Sequence, residues 1–206
     1  MGKVKIENGI IIGTSGNKFA TKNPLAIYLL KGFDNAIVQM VRFSSPTNVL
    51  EVGCGEGHVT KLILENSNAR ILATDISQSI IDQTRKDLND TRVTYQVGPL
   101  ETLTCEGHFD LVVCCEVLEH LYDPNVGLDR LRSFNADWYL LSVPREPIWR
   151  AMNMARGTYL SQWGNSPGHI QHWSKRSFLR LVSRYFEIVQ VKSPLPWTVL
   201  LCRPYR

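Results

Sequence analysis

The chain has 206 residues, 44% of them hydrophobic, with 23 Lys or Arg against 19 Asp or Glu and a net charge of +4. That length and apolar fraction fit one domain with a sizeable core and exclude a disordered chain. The longest apolar runs, Ile10 to Ile12 and Leu25 to Leu30, are too short to span a bilayer, and the opening Met1-Gly2-Lys3-Val4-Lys5-Ile6-Glu7 lacks a signal-peptide core, so a cytoplasmic protein is expected.

Residues 1–45 read as an N-terminal extension with one amphipathic helix, from about Pro24 to Val41. Its polar run contains Lys18, Lys22 and Asn23. Thr47 to Glu51 is a short apolar strand, and a helix with Val59, Leu62 and Ile63 on one side follows from Gly57 to Glu65. Arg70 to Asp75 is the next strand, and Ser77 caps a helix to about Leu88. Val93 to Val97 and Phe109 to Cys115 are further strands, the second apolar throughout, as a strand covered on both faces should be. Asn125 to Phe134 reads as helix and Trp138 to Val143 as strand. This alternation over residues 46–144 predicts a doubly wound α/β core with a parallel sheet. Residues 145–173 form an irregular cover rich in Trp, Met and Arg. Residues 174–206 add a helix, Ser174 to Tyr185, and two short strands, Glu187 to Val191 and Thr198 to Cys202.

Five cysteines, an odd number with no C-x-x-C pair, read as buried free thiols rather than a disulfide framework or a zinc site. Charge is divided unevenly. Residues 145–206 carry ten Lys or Arg and two acids, Glu146 and Glu187, a balance of +8, while residues 1–144 hold −4. A basic final third beside an acidic core points to an anionic partner, against the plain alternative of a solvated helix face.

The strand ending at Glu51 runs into Gly53-Cys54-Gly55-Glu56-Gly57 and then a helix, which makes a nucleotide-binding turn. Asp75 ends the next strand, where a carboxylate can accept two ribose hydroxyls. The spacing is not G-x-G-x-x-G, which counts against a dinucleotide. Val49-Leu50-Glu51-Val52-Gly53-Cys54-Gly55, Asp75, and Phe109-Asp110-Leu111-Val112-Val113 followed by Glu116-Val117-Leu118-Glu119-His120-Leu121 resemble the motifs of class I methyltransferases. The resemblance covers about Asn48 to Val143. It implies a seven-stranded, mostly parallel Rossmann-like sheet whose last strand is antiparallel, with S-adenosylmethionine as cofactor. Carried over, it assigns cofactor contacts to Glu51, Gly53, Cys54, Gly55, Gly57, Asp75, Ile76, Leu100 and Cys115, and to Asn23 in the extension. Pro99 stands where the family often has an acid for the adenine amino group, so backbone at Pro99 and the Leu100 side chain are expected to hold the adenine.

Glu116, Glu119 and His120 stand at i, i+3 and i+4, one face if the chain turns helical there. His169 and His172 follow in the cover, with His169 four residues before Trp173. The set is similar to that of the ubiquinone-biosynthesis O-methyltransferases and of metal-dependent small-RNA 2′-O-methyltransferases. It implies Glu116, Glu119, His120 and His169 as ligands of Mg²⁺, Mn²⁺ or Zn²⁺. Without a metal, His169 or His120 becomes the general base, because imidazole titrates near neutral pH. His58 and His108 read as surface or loop residues. In the cover, Trp149 and Trp163 alternate with Arg145, Arg150 and Arg156, a composition suited to a planar, anionic acceptor or to a packed lid with arginines at its rim. The expectation is O-methylation of a small aromatic or anionic molecule. RNA ribose methylation, C- or N-methylation without metal, and cofactor binding without catalysis stand as alternatives, and the oligomeric state is left open.

Overall fold

The computed structural model describes residues 23–166 and 168–205 in full, and the strands β1 (Lys3–Glu7) and β2 (Ile10–Ser15) through their backbone. Lys18 and Lys22 lie outside the described residues. β1 and β2 form an antiparallel hairpin, which the reading of the extension as helical did not foresee. Asn8-Gly9 between two apolar runs is the sequence signal that marks it. Helix α1 then spans Pro24–Ser44, one turn longer than its apolar pattern suggests, and stops where Ser45 takes a left-handed conformation.

The core alternates β3 (Asn48–Val52), α2 (His58–Asn66), β4 (Arg70–Asp75), α3 (Gln78–Leu88), β5 (Val93–Val97), β6 (Phe109–Cys115), α4 (Pro124–Ser133) and β7 (Ala136–Pro144). The cover contains a short helix, α5 (Ile148–Ala155); α6 (Lys175–Val182), β8 (Phe186–Lys192) and β9 (Trp197–Pro204) follow. One seven-stranded sheet has the order β5-β4-β3-β6-β7-β9-β8. β3 runs parallel to both β4 and β6, and β9 enters antiparallel between β7 and β8. The expected doubly wound, mostly parallel fold is the one observed.

Strand periodicity divides the core into two layers. Leu50, Val52, Val112 and Cys114 pack on one face with α4 and α6 residues such as Leu128 and Phe178. Val49, Leu111, Val113 and Cys115 pack on the other with Ile37 and Met40 of α1 and Ile63 of α2. Chain direction reverses its winding at β3, since successive strands are added to one side through β5 and then to the other from β6. In an open α/β sheet that switch point leaves a crevice beyond the carboxyl ends of the strands. At the opposite, amino-terminal edge, Asp110 accepts hydrogen bonds from Thr47 N (2.7 Å), Thr47 Oγ1 (2.7 Å) and Asn48 N (2.9 Å), tying the entry of β3 to β6. All five cysteines are free thiols, four of them buried and Cys105 half-buried. No helix among the described residues is long and apolar enough to cross a membrane.

Candidate active site

The glycine loop sits at the carboxyl end of β3. Its first residues are pinned to the neighbouring strand, with Gly53 N and Cys54 N both donating to Thr74 O at 2.8 and 2.9 Å. Gly53, Gly55 and Gly57 all have positive φ, at 74°, 53° and 79°. A β-carbon on Gly53 would collide with Val117 in the turn after β6, and one on Gly57 would meet Thr84 Cγ2 at 2.7 Å. The loop is therefore sandwiched by protein at both ends. At Gly55 a β-carbon would meet nothing within 4 Å among the described residues. The middle of the loop thus presents backbone without a side chain, the kind of cradle that a bulky, polar cofactor requires.

Asp75, 8% exposed, faces this loop from β4. Its Oδ2 accepts from Gly55 N at 3.0 Å and its Oδ1 from Ser77 N at 3.0 Å. Two backbone N–H groups thus fix the orientation of the acid. Thr84 Oγ1 donates to Gly55 O at 2.7 Å, so α3 braces the same turn. Beneath the loop, Glu51 is buried and accepts from Thr60 Oγ1 at 2.6 Å. Burial pushes its carboxyl from 4.5 to about 8, the Thr60 hydrogen bond pulls it back, and the Asp75 charge adds to the rise. Burial also pushes the Cys54 thiol up, so Cys54 is a small apolar wall. Ile76 follows Asp75 and is partly exposed. Pro99 precedes a 3₁₀ turn, Leu100–Thr102, whose Leu100 side chain is buried, and Cys115 closes β6. Loop, Asp75, Ile76, Leu100 and Cys115 all stand at the carboxyl edge of β3–β6, which fits the cofactor the sequence implies. Asn23 stands at the start of α1. Its Oδ1 accepts from Leu25 N (2.9 Å) and Ala26 N (3.4 Å), capping α1.

After β6 the chain does not enter an α-helix. Glu116 adopts φ 60°, and only Leu118–His120 form a 3₁₀ turn. The i, i+3, i+4 face predicted from the sequence is therefore broken. Glu116 turns its carboxylate to Ser142 Oγ on β7 (3.0 Å) and to Trp197 Nε1 on β9 (2.9 Å). The metal-ligating atoms of Glu119, His120 and His169, by contrast, lie within 4.8 Å of one another. Glu116 is not part of that group.

The cover creates the cluster. Glu119 O accepts from Ile170 N (2.8 Å) and Gln171 N (3.0 Å), lacing the cover to the 3₁₀ turn. His120 Nδ1 lies 2.8 Å from Gly168 O; a carbonyl only accepts, so Nδ1 carries the proton and, in the neutral ring, Nε2 carries the lone pair. Glu119 and His169 are buried, at 1% and 7% exposure. The two imidazoles meet edge-on at 5.0 Å. Trp149 of α5 stacks on His169 at 5.8 Å and donates to Ser166 Oγ at 2.9 Å. One carboxylate and two imidazoles, one of them oriented by a backbone carbonyl, are a donor set that fits a divalent ion.

The other residues assigned to acceptor binding separate. Trp149 lines the cluster, whereas Trp163 is 73% exposed beyond a left-handed bend. Arg150 Nε donates to Trp163 O at 3.0 Å, so that arginine holds the outer turn of the cover. Arg145 lies at the end of β7, and its buried Nε has no hydrogen-bond partner among the described residues. His172 bonds Asn165 Oδ1 at 2.8 Å and stands apart from the cluster. Trp197, Ser142 and Ser166 were not singled out from the sequence. Trp197 had a signal: it opens the last strand, and antiparallel pairing sets it opposite Pro144 at the carboxyl edge. Two surface depressions among the described residues, one lined by Asn48, Arg70 and Arg92 and one by Arg85 and Asn89, lie at and near the amino-terminal edge, away from this chemistry.

A doubly wound sheet of this order, with a glycine cradle and a facing acid at its switch point, is the architecture of the class I S-adenosylmethionine-dependent methyltransferases, and the matches to known proteins indicate that class. Residues 49–134 match a family model described as a methyltransferase domain. The ubiquinone biosynthesis O-methyltransferase of Coxiella burnetii is 34% identical over 154 residues, 66% of this chain and 64% of that protein. The malonyl-[acyl-carrier protein] O-methyltransferase of Priestia megaterium is 33% identical over 72 residues, 34% of this chain and 26% of that protein. The chain thus spans less than two thirds of the length of these curated relatives. Among solved structures, the N-methyltransferase NodS from Bradyrhizobium japonicum, in complex with S-adenosyl-L-homocysteine, superposes with a TM-score of 0.70 at 14% identity, covering 93% of this chain and 94% of that one. The methyltransferase domain of bacterial CtHen1-C does so with a TM-score of 0.66 at 17% identity, covering 86% and 100%. Both likenesses are of fold.

Proposed function

We propose that the protein transfers the methyl group of S-adenosylmethionine to a hydroxyl oxygen of a small acceptor, aromatic or anionic, and that Glu119, His120 and His169 hold a divalent ion beside it. The observation that supports this reading is the largely buried carboxylate–imidazole cluster, which follows β6 at the same carboxyl edge of the sheet as the glycine cradle. A divalent ion there would lower the pKa of a bound hydroxyl. Glu119 and the two imidazoles fix where such an ion and the acceptor oxygen sit. His120 is kept in one tautomer by Gly168 O. The loop and Asp75 would orient the donor from the β3–β4 side, and the acceptor hydroxyl, acidified at the cluster, would release its proton to solvent water and take the methyl in line, leaving S-adenosylhomocysteine. Most of the rate then comes from positioning and deprotonation. The names of the two O-methyltransferase relatives favour oxygen as the acceptor atom.

The test is methyl transfer from labelled S-adenosylmethionine to a panel of hydroxylated aromatic acids, with and without chelator. Turnover should vanish in chelator and return with one of Mg²⁺, Mn²⁺ or Zn²⁺, and Glu119→Gln should lose metal while still binding S-adenosylhomocysteine. Full activity in chelator removes the metal and makes His169 or His120 the general base.

A further inference from the structure

Glu116 does not join the ligand cluster, yet the structure gives its carboxylate two specific partners. One of them, the indole N–H of Trp197, belongs to a ring that is 8% exposed, where an unmet donor is costly. Trp197 in turn packs edge-on against Trp149, with ring centroids 5.8 Å apart at 62°, and is backed by Phe33 of α1 at 5.0 Å. Trp149 stacks on His169 at 25° between planes. A continuous chain therefore runs from Glu116 through two indoles to the imidazole of His169. Glu116 is itself fixed. It holds a left-handed backbone, and its N–H donates to Ser142 O at 3.1 Å.

We propose that Glu116 and Trp197 are positioning residues that set the ring of His169 through Trp149. The proposal rests on the reading of His169 as an acceptor-site residue, and it gives the first acid of the Glu-x-x-Glu-His motif a role other than ligand or base. Physically, the carboxylate orients Trp197 by a charge-assisted hydrogen bond. Trp197 then closes the outer side of Trp149, so that Trp149 has one seat, against His169. The cover residue that carries chemistry is thereby registered to β6, β7 and β9 instead of moving with its own loop. An imidazole displaced by 1 Å from its working place is enough to cost a large factor in rate.

The experiment reads ring placement directly and needs no acceptor. In protein labelled at histidine, the His169 Cε1–Hε1 resonance, assigned by its loss in His169→Gln, lies in the ring current of Trp149. Glu116→Ala and Trp197→Phe should each move it, by the same amount and in the same direction, and the double variant should move it no further. The resonances of His58 and His108 should stay fixed. Binding of S-adenosylhomocysteine within threefold of the parent shows that each variant is folded. Unmoved His169 signals in both folded variants overturn the proposal. A second arm titrates Mn²⁺ alone. Equal, partial losses of affinity of about fivefold in Glu116→Ala and Trp197→Phe support positioning. Abolished binding in Glu116→Ala with normal binding in Trp197→Phe makes Glu116 a ligand and overturns it. If the parent binds no Mn²⁺, it is the metal reading that fails, and the resonance arm decides the positioning role.

Discussion

Individual residues carry the sharpest expectations. Asp75 is oriented by Gly55 N and Ser77 N at the carboxyl edge, where a carboxylate can accept ribose hydroxyls. Asp75→Ala should weaken S-adenosylmethionine binding by about 2 kcal/mol, close to thirtyfold in Kd, as loss of hydrogen bonds to a charged group does. Titration calorimetry measures it, with Asp75→Asn as a control that keeps the backbone contacts, and unchanged affinity in both variants would assign the ribose elsewhere. Glu51 gives a pH signature. Its folded-state value of about 8 lies above the ordinary 4.5 because burial disfavours the charge. Between those values the folded chain keeps a proton that the unfolded chain has released. Glu51 therefore makes stability fall as pH rises from about 4.5 to about 8, with no further loss above. Glu51→Gln should remove that slope from a plot of Tm against pH, and an unaltered slope would show that Glu51 is already ionised in the folded protein.

At the scale of elements, the junctions at the two sheet edges do different work. At the amino edge Asp110 anchors β3 to β6 through three hydrogen bonds, and the Thr47 hydroxyl leads in holding its carboxyl below the ordinary range. Its contribution to stability is present above the unfolded pKa and is lost as pH falls through the lowered folded value. Asp110→Ala should destabilise the fold by about 2 kcal/mol in urea melts at neutral pH, with little change in cofactor affinity, because the carboxyl edge is untouched. At the carboxyl edge the loop has no such slack. Gly53→Ala places a methyl against Val117 in a left-handed backbone, so the loop must shift. Cofactor affinity should fall at least tenfold by calorimetry, and Val117→Ala in the same chain should restore part of it by giving the methyl room.

For the whole molecule, charge separates small acceptors from large ones. Arg176 and Arg180 are exposed on α6, while Arg184 is committed to Asn125 Oδ1 at 2.7 Å and Arg203 to Glu187 at 2.9 Å. Much of the +8 balance of the last third is thus tied up or faces solvent rather than the crevice. Arg176→Ala with Arg180→Ala should leave kcat/KM for a small acceptor within twofold. If RNA is the acceptor, the same pair should weaken binding and flatten its salt dependence, which a filter-binding titration across salt would reveal. Arg145 is the better anchor for an anionic group, since its buried Nε has no hydrogen-bond partner among the described residues, and Arg145→Gln should raise KM for acidic acceptors more than Arg150→Gln does.

Local chemistry alone made much of this molecule legible. The apolar strands, the glycine loop and Asp75 follow from period-two patterning and from turns only glycine makes cheaply, so the sheet and the cofactor edge could be read in order along the chain. The grouping of Glu119, His120 and His169 was also readable, through motif resemblance. The turning of the Glu116 carboxylate to Ser142 and Trp197 was not, because it depends on a single left-handed residue that replaces a helix with a 3₁₀ turn. The pairing of β1 with β2 also has a local signal, the Asn8-Gly9 dipeptide between two apolar runs. Trp197, Ser142 and Ser166 could be valued only once β9 was inserted antiparallel beside β7 and the cover was folded back onto the turn after β6. Those contacts join residues tens of positions apart, and no local preference of the backbone or side chains fixes which of them meet. That choice belongs to the packing of the two core layers and the register of the sheet.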